Sequence, residues 1–451
     1  MKYLWSKFTM LTELDSSTII TSLKYFDIIK IKKQGRIHES FMSKNMDLLT
    51  EKDIEFLSTK NFLVKEGVDE IYECDFVRNR SVFSDSILDI TILPTDSCNF
   101  RCVYCYESAT NQHLSKENEE SIIKFIKRNA HKYKQIRLAW FGGEPLVRKD
   151  QVLRITKTIN DICKNKGILF SGRMTTNAYE LDIDTFNELV RNRVLAYQIC
   201  IDGNRESHNK QRPHATNNDS YDRIIHNIKE IARNAKSNTF LISLRTNIAY
   251  ETEDYIEEYL HDIHDIIGDD KRFEIVFQGV RNWGGARISN NNVVLVDEES
   301  KLYEKWYTKA AKIGLNSAET MDLSIYSSMC AANFVAGYVI YPDCSVHKCT
   351  LAYFSDKARD EGCIGKIDSD GNLSVDYSKI MKWMAHDSHN EKCLNCILYC
   401  VCKGGTCPYS SNIIGNPINK SNHCGELFSL VMSKIRCLYL KDMIDMYSED
   451  D

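Results

Sequence analysis

An α/β fold with parallel strands is what residues 88 to 278 predict, and three observations carry that expectation. Short apolar, strand-like segments recur near 88–94, 136–141, 167–174, 195–201, 240–247 and 273–278. Amphipathic stretches at helical spacing separate most of them, namely Glu117 to Asn129, Val152 to Lys164, Tyr221 to Ala235 and Asp254 to Ile267. Strand, helix, strand at this spacing joins neighbouring strands in parallel and leaves the helices to cover them. In the first strand, ILDITILPT, Leu88, Ile90 and Ile92 share one face. Six strands make either an open sheet or a partial barrel, and spacing alone does not choose.

The ends of the chain read differently. Residues 1–85 are expected to form a small separate unit. Ile19 to Ile31 carries apolar residues at helical spacing. LTEKDIEFLSTKNFLV carries a helix start: Thr50 caps, Asp53 follows three residues later, and Ile54, Leu57 and Phe62 form the apolar side. Residues 286–329 read as a linking region. WGGARISNNN at 283–292 has loop composition, and Lys301 to Ala311 looks helical. Beyond Cys330 the elements are short and the cysteines dense, so thiolate centres are expected to substitute for a conventional core. Residues 425–451 include a helix over 425–447, with Leu427, Leu430 and Val431 on its apolar side.

With 451 residues, 43% of them hydrophobic and only six prolines, the chain is long enough for one large domain with additions. A net charge of -5 from 58 basic and 63 acidic residues argues against phosphate neutralisation as a mode of action. No nucleic-acid partner is therefore expected, although Lys124 to Arg137 is locally basic. No signal-peptide pattern follows Met1, and no stretch approaches eighteen apolar residues, so no membrane partner is expected and the cytoplasm is the default location. Seventeen cysteines are many for such a compartment, where disulfides do not persist. All but Cys74, Cys163 and Cys200 fall in two regions, 98–105 and 330–437. Clustering of this kind points to metal centres.

The first region reads CNFRCVYCYE. Cys98, Cys102 and Cys105 place three thiolates within eight residues, enough for three corners of a cubane cluster. With no fourth cysteine nearby, one iron is left open, a catalytic arrangement by the logic that separates open from closed zinc sites. The loop follows the first strand, and ligands in parallel α/β folds bind at the carboxyl ends of strands. A zinc or redox-inactive cysteine cluster is the alternative reading of these residues.

With Tyr104 before the third cysteine, this loop resembles the signature of the radical S-adenosylmethionine enzymes. Companion segments occur in the order that family implies. WFGGEP supplies Gly142, Gly143, Glu144 and Pro145 after the second strand. MTTNA supplies Thr176 and Asn177 after the third, with Ala178 in a glycine place. QICIDGNRESHNKQR supplies Asp202, Gly203, His208 and Arg212, and Arg245 lies on the fifth strand. The resemblance implies a partial (β/α)6 TIM-like barrel over 86–285. It also implies S-adenosylmethionine chelated to the open iron, where one electron splits its carbon–sulfur bond to give a hydrogen-abstracting radical. Tyr104, Gly142, Gly143, Glu144, Pro145, Thr176, Asn177, Asp202 and Arg245 would then contact the cofactor.

The second region, 330–424, resembles the extension called SPASM, which binds two auxiliary [4Fe-4S] clusters, making three in all. By that resemblance Cys330, Cys349 and Cys407 hold the nearer cluster, and Cys393, Cys396, Cys402 and Cys424 the farther one. Four residues, ending in Thr406, separate Cys402 from Cys407, where the family has three. Gly404 and Gly405 would allow a tight turn between ligands. Cys344 stands where the family's hairpin has glycine, and either it or Cys363 could complete the nearer site. If neither does, an open iron there could take a substrate thiolate. Zinc is again the plainer alternative. Cys400 reads as a spare buried thiol, and Cys74, Cys163, Cys200 and Cys437 as core residues.

Residues 1–85 resemble the front end of maturases for ribosomally made peptides, whose small winged-helix-like domain holds a precursor's leader by strand addition. A precursor peptide with a leader and an external one-electron reductant of flavodoxin or ferredoxin type are then the implied partners. Cross-linking, first of all a thioether from cysteine, is the implied reaction. Other cross-links, epimerisation and formylglycine formation are the alternatives within the family, and an electron-transfer or zinc-scaffold protein is the alternative outside it. Gln278, ending the sixth strand, is the substrate-facing candidate, with packing or loop capping as its other reading.

Overall fold

The computed structural model describes residues 2–107, 110–282, 296–326, 330–354, 359–385, 391–402, 407–409 and 420–449. The loop reading of 283–292 and the turn at Gly404 and Gly405 lie outside the described residues.

The N-terminal unit contains β1 (Tyr3–Trp5), β2 (Thr9–Leu14), β3 (Ser17–Ser22), β4 (Asp27–Ile31) and β5 (Leu63–Lys65). Strands β2, β3 and β4 form an antiparallel meander, and β1 pairs with β5. The helical reading of Ile19 to Ile31 is thereby overturned. Thr18, Ile19, Ile20 and Thr21 are all buried, so both faces of β3 are covered and the period of two is hidden. Their β-branched side chains suit a strand, and Phe26, at φ 61°, turns the chain into β4. Three helices, Arg36–Ser43, Glu51–Thr59 and Glu70–Val82, complete the unit.

The helix start at Thr50 is a reciprocal capping box. Asp53 N donates to Thr50 Oγ1 at 3.2 Å, and Thr50 N donates to the Asp53 carboxylate at 2.9 Å. Leu57 and Phe62 are fully buried, but the helix ends at Thr59 and Phe62 packs from beyond it. Asp53 also accepts hydrogen bonds from Arg36, at 2.6 and 3.1 Å, and from Tyr447 Oη at 3.0 Å. Residues 445–447 run along β4: Lys30 N donates to Asp445 O and Tyr447 N to Lys30 O.

The central sheet orders β6 (Ile87–Ile92), β7 (Gln135–Trp140), β8 (Leu169–Thr176), β9 (Val194–Cys200), β10 (Leu241–Ile248) and β11 (Phe273–Gly279) side by side, each parallel to the last. This is the strand run of the partial (β/α)6 barrel. Helices Lys116–Asn129, Lys149–Asn165, Tyr221–Asn234 and Ile256–Ile267 match the periodic stretches of the sequence. Ile183–Arg191 and Arg205–Gln211 are helices outside those stretches. At nine and seven residues, they are too short to show a clear period.

The cysteine-rich region departs from expectation. β12 (Gly337–Ile340) pairs in parallel with the free side of β6, and β13 (Ser345–His347), β14 (Cys363–Ile367) and β15 (Leu373–Val375) extend the sheet antiparallel. Ile340, Val346, Ile364 and Trp383 are buried in the same core as the barrel strands. Thiols therefore do not replace a core over these residues, because the sheet carries the barrel's core outward. Helix Val296–Ile313 packs on helix Lys420–Leu440, in which Leu427 and Val431 are buried. The latter helix stops at Leu440 and not near 447. Asp442 takes a left-handed φ of 50°, and the following residues join β4. Among the described residues no helix is long and apolar enough to cross a membrane.

Candidate functional site

A cavity of about 550 Å³ opens at the carboxyl ends of the barrel strands, where parallel α/β folds place ligands. Cys98, Cys102 and Cys105 line it from the loop after β6. That loop is laced antiparallel to residues 211–215. Arg101 N donates to Pro213 O, Val103 N to Gln211 O, and Ala215 N to Asn99 O, at 2.8–3.0 Å, while Phe100 bridges His214. Burial pushes all three thiols up, Cys105 to about 12. Protein alone thus disfavours the thiolates, and a bound cation would reverse that balance.

The GGEP segment is fitted against the entrance to this loop. A Cβ on Gly142, at φ 112°, would meet Thr95 O at 2.4 Å, and one on Gly143 would meet Ser97 O at 2.2 Å. Glu144 N donates to Ser97 O at 3.0 Å. The buried Glu144 carboxylate accepts from Leu146 N at 2.9 Å, and from Thr176 Oγ1 and Asn177 N at 2.7 Å. Pro145 opens the short turn that Glu144 caps. Burial raises the Glu144 carboxyl, opposed by these hydrogen bonds. Asn177 Nδ2 in turn donates to Asn99 Oδ1, between the first two cysteines, at 2.7 Å. Ala178 sits at φ 61°, a left-handed conformation that explains why the family has glycine there.

Tyr104 points its hydroxyl into a buried polar knot. It donates to Asp202, and it accepts from Arg212 and, at 3.0 Å, from Asn247 Nδ2. Asp202 also accepts from Asn247 N at 2.8 Å, and its own N–H donates to His208 Nδ1. Burial, with Arg212 beside it, holds the His208 imidazole well below its ordinary range. Arg212 itself remains a cation: burial works against it, but Cys102, Tyr104, Cys200 and Asp202 outweigh that. Arg245 lines the cavity and donates to Asn247 Oδ1 at 2.9 Å. Cys200, read as a core residue, is buried and also lines the cavity.

Gln278 borders the cavity with its orientation set from behind. Its Nε2 donates to the buried Glu299 carboxylate at 3.0 Å and to Tyr303 Oη at 2.8 Å. An ionised carboxylate only accepts, so the amide oxygen is turned the other way and is left as an acceptor. Glu107, two residues past the third cysteine, was missed in the sequence. It lines the cavity, its Oε2 is buried without a partner among the described residues, and burial pushes its carboxyl up to about 8, aided by Asp96 and Glu144. Its adjacency to the cysteines was the signal available.

The C-terminal cysteines fall into two groups. Burial of Cys349 raises its thiol, reinforced by Cys330 and Cys407. Thr350 and Leu351, which follow Cys349, line the cavity. Cys424 is raised to about 11 by burial, then by Cys402, Cys396 and Cys393. Cys344, at φ 64° in the β12–β13 turn, directs Sγ at Asn118 O at 3.6 Å, and Cys363 directs its own at Gly365 O. Cys400 is buried beside Cys74. Among the described residues no three His, Cys, Asp or Glu side chains converge closely enough to hold a single metal ion. A four-iron cube is wider than one ion, and three thiols around one cavity are the donor set it takes.

Comparison with known proteins places these segments. The Radical SAM superfamily matches residues 92–263. A GTP 3',8-cyclase of Clostridium perfringens is 30% identical over 33% of this chain, and the match spans only 45% of that enzyme's length. A cysteine-type anaerobic sulfatase-maturating enzyme of Clostridium novyi is 26% identical over 70% of this chain and 87% of its own. The solved structure of anSMEcpe with bound AdoMet and Cp18Cys peptide shares the fold, with a TM-score of 0.58 at 17% identity over 79% of this chain and 99% of that one. So does Streptococcus suis SuiB bound to precursor peptide SuiA, with a TM-score of 0.51 at 13% identity over 90% and 95%. The chain carries a radical SAM domain fused to a cysteine-rich C-terminal region.

Proposed function

We propose that this protein is a radical S-adenosylmethionine enzyme that oxidises a cysteine or serine residue of a peptide or protein by two electrons. One observation carries the reading. A single cavity is bordered by the three-cysteine loop on one side and by Thr350 and Leu351, next to Cys349, on another. A substrate residue seated there lies between a hydrogen-abstracting centre and a route for the second electron. Bound to Cys98, Cys102 and Cys105, an iron–sulfur cluster with S-adenosylmethionine would supply the radical. The chain supplies orientation, exclusion of water and the exit path. Gln278, with its amide nitrogen tied to Glu299, offers the substrate an acceptor oxygen and is not a base.

Formylglycine-type oxidation is the first reading of the product, because a sulfatase-maturating enzyme matches along 70% of this chain. Thioether closure is the second. It is favoured by the grouping of Cys330, Cys349 and Cys407 without Cys344 or Cys363, which leaves a fourth position for a substrate thiolate. Both products leave the peptide two hydrogens and two electrons poorer at the first stage. A leader would dock on the N-terminal unit. The β4 edge is taken by residues 445–447, whereas antiparallel alternation turns the backbone groups of Leu63 and the N–H of Lys65 to the outer edge of β5, beside a groove lined by Tyr25 and Glu73.

Anaerobic reconstitution, a one-electron reductant of flavodoxin or ferredoxin type, S-adenosylmethionine and a short cysteine- or serine-bearing peptide encoded beside this chain test the proposal. The expected result is 5′-deoxyadenosine together with a peptide that reacts with hydrazide. A peptide lighter by two hydrogens, with a lost thiol and no aldehyde, selects the thioether. Intact clusters that yield no 5′-deoxyadenosine would sink the reading.

A further inference from the structure

The backbone ladder between the cysteine loop and residues 211–215 fixes a register. Phe100 bridges His214, Arg101 N bonds Pro213 O, and Val103 N bonds Gln211 O. Continuing that register puts Cys102 directly opposite Arg212, as cross-strand neighbours. The Arg212 side chain is 9% exposed and lines the same cavity as Cys102. Its guanidinium is held by Tyr104 Oη and stands 3.9 Å from Asp202, too far for a direct hydrogen bond. Its Nε is buried and has no partner among the described residues. The unused N–H of this buried cation, registered on one of three clustered thiols, is costly unless an acceptor sits beside it.

We infer that Arg212 sets the reduction potential of the cluster held by Cys98, Cys102 and Cys105, using charge and an N–H directed at sulfur, with Tyr104 and Asp202 as the clamp that holds it there. The inference rests on the proposed function, because it needs a cluster at this site. Reduction adds one electron, supplied by the external one-electron donor, and so adds one negative charge to the cluster. A fixed cation and a donor to sulfur favour the reduced form, and both raise the potential. Arg212 is in this sense a positioning and tuning residue that acts through the cluster.

The test is a redox titration of the reconstituted full chain, followed by electron paramagnetic resonance with dithionite as reductant. The signal that changes on adding S-adenosylmethionine reports the three-cysteine site, and C98A/C102A/C105A identifies the signals of any other cluster. In Arg212→Gln the ratio of reduced to oxidised cluster at a fixed potential should fall about tenfold, a shift of about 59 mV for one electron. Arg212→Lys should recover part of the shift, since it keeps the charge. A purely structural role would lower iron content or thermal stability and leave the midpoint alone. A wild-type midpoint in Arg212→Gln, or an equal fall in Arg212→Lys, overturns the inference. If Arg212→Gln assembles no cluster, Tyr104→Phe carries the test: it frees the guanidinium without removing it, and a smaller fall is expected, whereas no fall overturns the inference. Absence of any S-adenosylmethionine-responsive signal in the wild type would instead defeat the proposed function itself.

Discussion

The two cysteine regions are built on opposite plans. Cys98, Cys102 and Cys105 sit in one loop, eight residues long, whose backbone is tied to residues 211–215 and whose flank is fitted against Gly142 and Gly143. In the C-terminal region Cys349 answers to Cys330 and Cys407, and Cys424 answers to Cys402, Cys396 and Cys393, 22 to 31 positions earlier and outside its own helix. The first arrangement is local and caged by strand ends. The second draws on strands that extend the barrel sheet from β12 and on helix Lys420–Leu440, which packs on helix Val296–Ile313. A cage that short is intolerant of added atoms, whereas distant thiols depend on elements that are stable for other reasons.

Breaking the local cage should have the largest effect. C98A/C102A/C105A should abolish 5′-deoxyadenosine formation in a reconstituted assay, beyond the roughly 10–100-fold that changes behind a metal ligand cost. Cys424→Ala should leave S-adenosylmethionine cleavage within about tenfold of the wild type. An equal collapse in both would erase the distinction between the regions.

Gly143→Ala is the next sharpest probe. Its methyl would lie 2.2 Å from Ser97 O, a backbone atom that cannot swing aside. Denaturant titration should show a loss of about 3 kcal/mol, and cluster content should fall with it. No loss would mean that the loop entrance is looser than its contacts require.

A control lies far from both regions. Burial pushes the Asp53 carboxyl up, but hydrogen bonds from Arg36, Thr50 and Tyr447 outweigh it and bring the group down to about 2. Because the folded value is depressed below the unfolded 3.8, the stability it confers is complete above about pH 4. It is lost as pH falls through about 2. Asp53→Asn should remove on the order of 2 kcal/mol at pH 7 and flatten the acid limb of the stability curve. Cluster potentials should not move.

The smallest expected effect runs the other way. Ala178 holds a left-handed φ of 61° beside the cavity. Ala178→Gly should relieve that strain and, after the added freedom of the unfolded chain, stabilise by less than about 1 kcal/mol in a thermal scan. Destabilisation would show that its buried methyl packs for more than its backbone costs.

Much of the barrel was legible because amphipathic helices and apolar strands announce their periods, and all six strand segments fall where they were read. The strand β3 was misread for a physical reason: burial on both faces of Thr18 to Thr21 leaves no alternation to see. Glu107 was overlooked because a carboxylate beside a cysteine motif carries no pattern of its own. Its significance comes from Asp96 and Glu144 converging on it in space.

The sequence by itself determined the three-thiol loop, the strands that carry it and the capping box at Thr50, since each depends on residues within one turn or one period. Tertiary structure decided what no local spacing encodes. It set Arg212 opposite Cys102 and aimed the Gln278 amide by way of Glu299. It also joined β12 to β6, putting the strands around Cys344 on the barrel's own core. These contacts join residues more than twenty apart, and their geometry exists only after the sheet has closed around its core.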